Sequence, residues 1–398
     1  MAYLPLSTAN LPDPAIDPAQ GASPEDYFGT LLWSGDDNTT RTIQAGGSGV
    51  TGDINFTPDF AWIKRRNGAT NGSDHMLLDA VRGVGSFNAL SCNGSYEEGR
   101  TEAGSYWVNF GDIDTFTTDG FTVQKGSDGS HTLEGINESG GTYVGWNWLA
   151  NGSGSTIAVD TYSAGSPSIA STVSANTTSG FSIVKYTGTN DTTNKVAHGL
   201  DQKPQAILLK KLTASTDWAV YHESVCTDDR HFLYLNTNAA RTTGGATRWD
   251  ISAFDTDTFT VGDDHSVNAA STDYIAYCFH SVEGFSKFGS YVGNGSSDGP
   301  FVYTGLRPAL VIIKESSNTG SWLMIDTTRD PYNMAGTHIG ADSIAAEATA
   351  ASRTPPFGID YLSNGFKLRG SHDEINQSSQ TYIYMAFAEN PFKYSNAR

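Results

Sequence analysis

Arg307-Pro308-Ala309-Leu310-Val311-Ile312-Ile313-Lys314 reads as a buried strand opened by a proline and closed by a lysine, and the chain spells it three times. The earlier copies are Lys203-Pro204-Gln205-Ala206-Ile207-Leu208-Leu209-Lys210 and Thr57-Pro58-Asp59-Phe60-Ala61-Trp62-Ile63-Lys64, each with six positions from proline to lysine. Proline has no N–H for a ladder, so it is expected at the first residue of a strand. An unbroken apolar run suits a strand covered on both faces. The closing lysine is expected to cap the strand at the sheet's rim. Three copies with one internal spacing define an internal repeat.

The surroundings repeat as well. Each octamer leads to a second apolar run: His75-Met76-Leu77-Leu78-Asp79, Trp218-Ala219-Val220-Tyr221-His222 and Trp322-Leu323-Met324-Ile325-Asp326. Each unit closes with an asparagine (Asn137, Asn268, Asn376) and, six positions on, a strand beginning Tyr143, Tyr274 or Tyr382. The expected organisation is an all-β chain of three tandem β-sandwich repeats, of jelly-roll or lectin-like type, behind an extended N-terminal arm. The arm is residues 1–28, the first repeat 29–150, the second 180–284 and the third 285–398. A Ser/Thr/Gly-rich linker covers 151–179, within which Ser155 to Tyr162 has the pattern of a strand. Arm residues Leu11-Pro12-Asp13-Pro14 and Ser23-Pro24 show no apolar period, as expected of a segment ordered against a partner. Helix is expected at one place, Ser343 to Ser352.

Composition agrees with short strands and wet loops. Charged residues are 17% of the chain and glycines number 43, with 8 Trp, 18 Tyr and 19 Phe. The formal net charge of −19 argues against nucleic acid or an anionic membrane as partner. No apolar run reaches transmembrane length, and Met1-Ala2-Tyr3-Leu4-Pro5 lacks the features of a signal peptide, so no membrane insertion is expected. Cys92, Cys226 and Cys278 are odd in number and far apart, which points to free thiols from a reducing cytoplasm.

Several stretches resemble three-repeat structural proteins of tailed bacteriophages, especially phages of marine and aquatic bacteria. They are Gly180-Phe181-Ser182-Ile183-Val184, Val196-Ala197-His198-Gly199-Leu200, Phe285 to Gly295, Ser363 to Arg369 and Tyr382 to Arg398. The resemblance runs from about residue 25 to the C-terminus and is tightest in the third repeat. It implies a virion structural protein, made in the host bacterial cytoplasm: a tail fibre or tail-appendage subunit contacting the host surface. A capsid decoration or head-fibre protein and a surface-polysaccharide depolymerase are the alternatives. The partners implied are other virion proteins, met through the arm, a host surface glycan, and further copies of the chain in a homotrimer. No catalytic motif comes with it.

The residues themselves carry little chemistry. Asp79 and Asp326 hold the same place in two repeats, each followed three residues on by arginine (Arg82, Arg329), a pattern expected of a structural ion pair. Asp112, Asp114, Asp255, Asp257, Asp263 and Asp264 are of the type that binds calcium, but without a recognisable loop they are expected to make turns. His75 stands where the other repeats have tryptophan and is expected in a core. No Gly-x-Ser-x-Gly elbow, phosphate loop or HExxH zinc motif occurs, so no catalytic residue, metal ligand or cofactor is assigned. The remaining candidates are aromatics outside the repeat framework. Tyr106 and Trp107 in insert 83–113, and Arg248 and Trp249 in insert 223–252, are the expected binding residues, because sugar rings stack on exposed aromatics held in loops.

Overall fold

The computed structural model describes residues 11, 13–68, 73–101, 104–127, 135–162, 166–352 and 357–395. The chain is all-β, and its described residues form three large antiparallel sheets and three small ones. Each large sheet contains the same run of four neighbouring strands. In the first, the run is Phe28–Ser34, Thr142–Trp148, Phe60–Arg65 and Met76–Asp79. In the second it is Phe181–Thr187, Asp273–Phe279, Ala206–Lys211 and Ala219–His222. In the third it is Ser286–Val292, Thr381–Pro391, Leu306–Glu315 and Trp322–Asp326.

The third octamer lies in the central strand of its sheet, the second in one of the two middle strands and the first beside the central strand; all three are buried on both faces, which explains their unbroken apolar runs. Side chains alternate across a strand. Val311 and Ile313 therefore face one core, shared with Phe366 and Leu368 of a small sheet, while Leu310 and Ile312 face a second. In the first sheet Ala61 and Ile63 pack with Ile43, Phe121 and Val123 of its small sheet, and Phe60 and Trp62 point the other way. Each of these two large sheets thus makes a sandwich-like pair with a small one. Their opposite faces, with the whole second sheet, enter a single buried cluster.

The three large sheets meet through one recurring set of hydrogen bonds. From the second sheet, Trp218 Nε1 donates to Ser91 O at 2.9 Å, and Lys210 Nζ and Thr216 N reach Ser95 O at 3.0 and 2.7 Å. From the third, Trp322 Nε1 donates to Tyr234 O at 2.7 Å, while Lys314 Nζ and Gly320 N reach Asn238 O at 3.3 and 2.9 Å. From the first, His75 Nε2 lies 3.0 Å from Gly340 O, while Lys64 Nζ and Ser73 N reach Ile344 O at 3.3 and 3.0 Å. A bond returns at each junction: Glu98 N to Leu212 O, Arg241 N to Ser316 O and Glu347 N to Arg66 O, at 3.0, 2.7 and 2.8 Å. The third sheet leans on the second, the second on the first, and the first on the third.

Several expectations change. Lys64, Lys210 and Lys314 are buried between sheets instead of capping a rim, since each ammonium finds backbone carbonyls of its own and the next sheet. Pro308 is the third residue of its strand and sits at a register slip, where the ladder skips the missing donor. Pro58 and Pro204 precede theirs by two residues. The expected linker carries strands paired onto the second sheet: Ser155–Ile157, within the stretch whose pattern suggests a strand, and Ser171–Asn176, where none is expected. Ser343 to Ser352 holds only a 3-10 turn at Ala350–Ser352, because Glu347 and Ala348 bond to Arg66 and His338 instead of to a helix of their own. The one-turn helices are elsewhere, at His265–Asn268 and Asp373–Asn376.

The arm is also less free than expected. Ile16 is fully buried in the large cluster, Ala15 N donates to Glu283 O at 3.1 Å, and Asp13 pairs with Lys393. Phe28, its last residue, opens the first strand and stacks on Phe387 with centroids 5.1 Å apart. Of the arm 1–28 expected to dock, residues 1–10 and 12 lie outside the described residues.

Candidate functional site

The titratable residues that recur in the sequence are spent on the junctions. Asp79, opposite Phe60, accepts from Arg82 Nε at 2.6 Å and from Tyr277 Oη of the second sheet at 2.8 Å. Asp326, opposite Leu310, accepts from Arg329 Nε at 2.5 Å and from Trp146 Nε1 of the first sheet at 3.1 Å. Both carboxylates are fully buried, as the Asp-x-x-Arg spacing suggests for a structural pair. Their register position in the second sheet is taken by His222, opposite Ala206, whose Nε2 lies 3.3 Å from Tyr384 O of the third sheet. Burial lowers its pKa to about 4 and keeps it neutral. His75, also buried, is held neutral by burial and then by the charge of Lys64. Trp62 Nε1 donates to its Nδ1 at 2.9 Å, so the proton sits on Nε2 and points at Gly340 O.

Burial lowers Lys64 and Lys210 to about 7 and Lys314 to about 8. Beside Lys314, Glu315 is buried with neither carboxylate oxygen hydrogen-bonded among the described residues. Burial raises it to about 7, Lys314 opposing and Asp373 and Glu374 adding to the rise. Of the acids expected in turns, Asp264 caps a helix by accepting from Ser266 N and Asp255 accepts from Asp257 N and Thr258 N, whereas Asp112 and Asp114 lie in the strand Gly111–Thr117. Among the described residues no group of three His, Cys, Asp or Glu is placed to hold a metal ion. The three cysteines are free and buried. No helix among the described residues is long and apolar enough to cross a membrane.

Of the four expected binding residues, one reaches solvent. Trp249 is fully buried, edge-on to Tyr221 with centroids 6.0 Å apart. Arg248 is buried too, its guanidinium 3.4 Å above the Phe232 ring and 3.4 Å from Asp264 Oδ2. Trp107 is 4% exposed and packs in the core of the first sandwich-like pair. These loops are long enough to fold an aromatic back under themselves, which residue type alone does not reveal. Tyr106 is 46% exposed.

Tyr106 has company that the sequence did not single out. Phe87, 63% exposed, lies with its ring 5.8 Å from that of Tyr106 at 58°. Arg100 covers Tyr106, with Cζ 4.5 Å from the ring centroid, and its Nε donates to Glu97 Oε1 at 3.2 Å. Two 3-10 turns, Ser86–Asn88 and Trp107–Asn109, carry the aromatics. The available signal was Phe87 itself, a lone aromatic in the glycine-flanked stretch Gly83-Val84-Gly85-Ser86.

A cleft of about 460 Å³ opens between the first and third sheets and is lined by Glu25, Asp53, Thr30, Thr327, Thr328 and Asn390 among others. Burial, then the neighbouring Asp53, raises the Glu25 carboxyl.

A family model matches residues 23–391, a span that takes in all three large sheets. The chain belongs to the DUF7483 family. That family is described as a domain of unknown function. No curated protein and no solved structure matches this DUF7483 chain.

Proposed function

We propose that the chain is a structural protein of a virion, a tail fibre or tail-appendage subunit that contacts the host surface, and that its three sandwich-like parts are copies of one unit. The carrying observation is the cyclic set of junction bonds, in which equivalent residues of each sheet bond to the next and the first returns to the third. A head-to-tail contact that closes makes a ring with approximate threefold symmetry. In a homotrimer such a ring takes three chains; here one chain supplies all three parts. The proposal therefore replaces the homotrimer of the sequence reading with a ring closed within one chain.

The same observation supports a structural role over a catalytic one. Asp79, Asp326 and the three lysines, the recurring ionisable residues, face junctions rather than a cleft. Labelling of purified particles with antibody to the protein tests the assignment. Label at the tail is expected, label on the capsid would replace it with head decoration, and absence from particles would overturn it. Light scattering of the purified protein should give the mass of one chain.

One observation favours a second reading, cleavage of a surface polysaccharide. The cleft between the first and third sheets places Glu25, raised by burial and Asp53, among threonine and asparagine side chains able to bind hydroxyls. Reducing-sugar release from host polysaccharide, lost in Glu25→Gln, would establish it.

A further inference from the structure

We propose that Phe87, Tyr106, Arg100 and Glu97 form a binding site for a neutral glycan. The inference deepens the host-contact reading above and rests on it for its biological setting, but the chemistry stands on the site alone.

Two aromatic rings of this size left 63% and 46% exposed, in contact with each other at 5.8 Å, are an apolar corner held in water. Val108, also exposed, follows Tyr106 on the same short turn. The corner is fixed before any ligand arrives. Arg100 and Tyr106 form an antiparallel bridge, Gly99 N donates to Ala89 O at 2.8 Å, and Trp107 N donates to Gly99 O at 3.1 Å. Beneath it, buried Trp107 anchors the turn in the core. A rigid site avoids much of the ordering cost of binding.

The polar groups beside the rings indicate the ligand. Arg100 sits over Tyr106, with Cζ 4.5 Å from the ring centroid, and among the described residues its side chain hydrogen-bonds through Nε, to Glu97. Its other donors and the Glu97 carboxylate present adjacent donor and acceptor groups at the aromatic edge. A pyranose has a C–H face that stacks on an aromatic ring and a rim of hydroxyls that both donate and accept. The Glu97 carboxylate and the net charge of −19 disfavour an acidic sugar, which selects a neutral hexose or N-acetylhexosamine. An apolar protein segment would have no use for the Arg100–Glu97 pair.

The test is binding of the purified full chain to a panel of neutral hexose and N-acetylhexosamine oligosaccharides, with sialylated and uronate-containing ones alongside. Wild type is expected to bind neutral members. Phe87→Ser and Tyr106→Ser should each weaken binding at least tenfold with unchanged thermal unfolding, while Tyr106→Phe keeps it. Because both rings are exposed, folding should survive these changes. No binding to any neutral oligosaccharide, a preference for acidic ones, or serine variants that bind as wild type would overturn the site. Host-cell labelling separates this from the broader reading: equal labelling by wild type and variants sinks only the site, whereas no labelling by wild type sinks host contact.

Discussion

The indole Nε1 of Trp146 donates to Oδ2 of Asp326 at 3.1 Å, joining residues 180 positions apart. Arg329 sits over the same indole, its Cζ 5.3 Å from the ring, and holds the same carboxylate. This contact ties the first large sheet to the third. It involves a buried charge pair, so losing one partner matters more than losing the hydrogen bond.

Asp326→Ala would strand the Arg329 guanidinium in the interior with only Glu347 as counter-ion. A loss of about 3–5 kcal/mol is expected. Trp146→Phe, which leaves the pair intact, should cost less, mainly the bond of about 1 kcal/mol and some packing. Urea denaturation of the two variants measures both, and equal losses would refute the assignment.

The three junction lysines should respond to pH together. Burial lowers their pKa values to about 7, 7 and 8, so the folded chain binds fewer protons than the unfolded one above that range. Their contribution to stability therefore rises with pH from about 7 towards the ordinary lysine value near 10.4. Replacing all three by methionine should flatten that rise. Folding should survive, because Ser95, Asn238 and Ile344 carbonyls each keep a backbone N–H donor. Stability curves at several pH values would show it.

Glu315 should act in the opposite sense and in a lower window. Its carboxyl is raised from 4.5 to about 7, so the folded chain holds a proton that the unfolded one releases. Stability from this group is full below pH 4.5 and is lost as pH rises to about 7. Glu315→Gln should remove that fall and leave the chain more stable at pH 8. A variant less stable than wild type at pH 8 would contradict it.

Phe387 touches the rings of Phe28, Trp148, Phe279 and Phe288 from the three sheets, at 5.1 to 6.0 Å between centroids. Phe387→Ala should cost about 3–5 kcal/mol and lower cooperativity between sheets. Calorimetry would show a single broadened transition or its separation; an unchanged profile would count against a shared core.

The octamers were legible because burial on both faces leaves an unbroken apolar run, a pattern that depends on local sequence alone. The second face was not legible in kind: nothing in Leu310-Val311-Ile312-Ile313 says that one side meets a small sheet and the other the remaining large sheets. Lys314 misled for the same reason. A lysine near a strand end ordinarily snorkels to water, and here the carbonyls of Asn238 and Glu315 turn it inward. Aromatic type located two loops but not their exposure, so Trp107 and Trp249 are buried while Phe87, unremarked, stands in solvent.

The three junctions share a pattern but not a composition, as His75 in place of tryptophan and His222 in place of aspartate make plain. Three identical chains would have to accept every substitution three times over. A ring drawn from one chain escapes that constraint, and a loop can grow on one flank without disturbing the others. A glycan site at the Phe87–Tyr106 corner, carried by the first sheet's long insert, would then be monovalent within each molecule. Strong adhesion to a surface would come from the number of molecules displayed, not from symmetry within one.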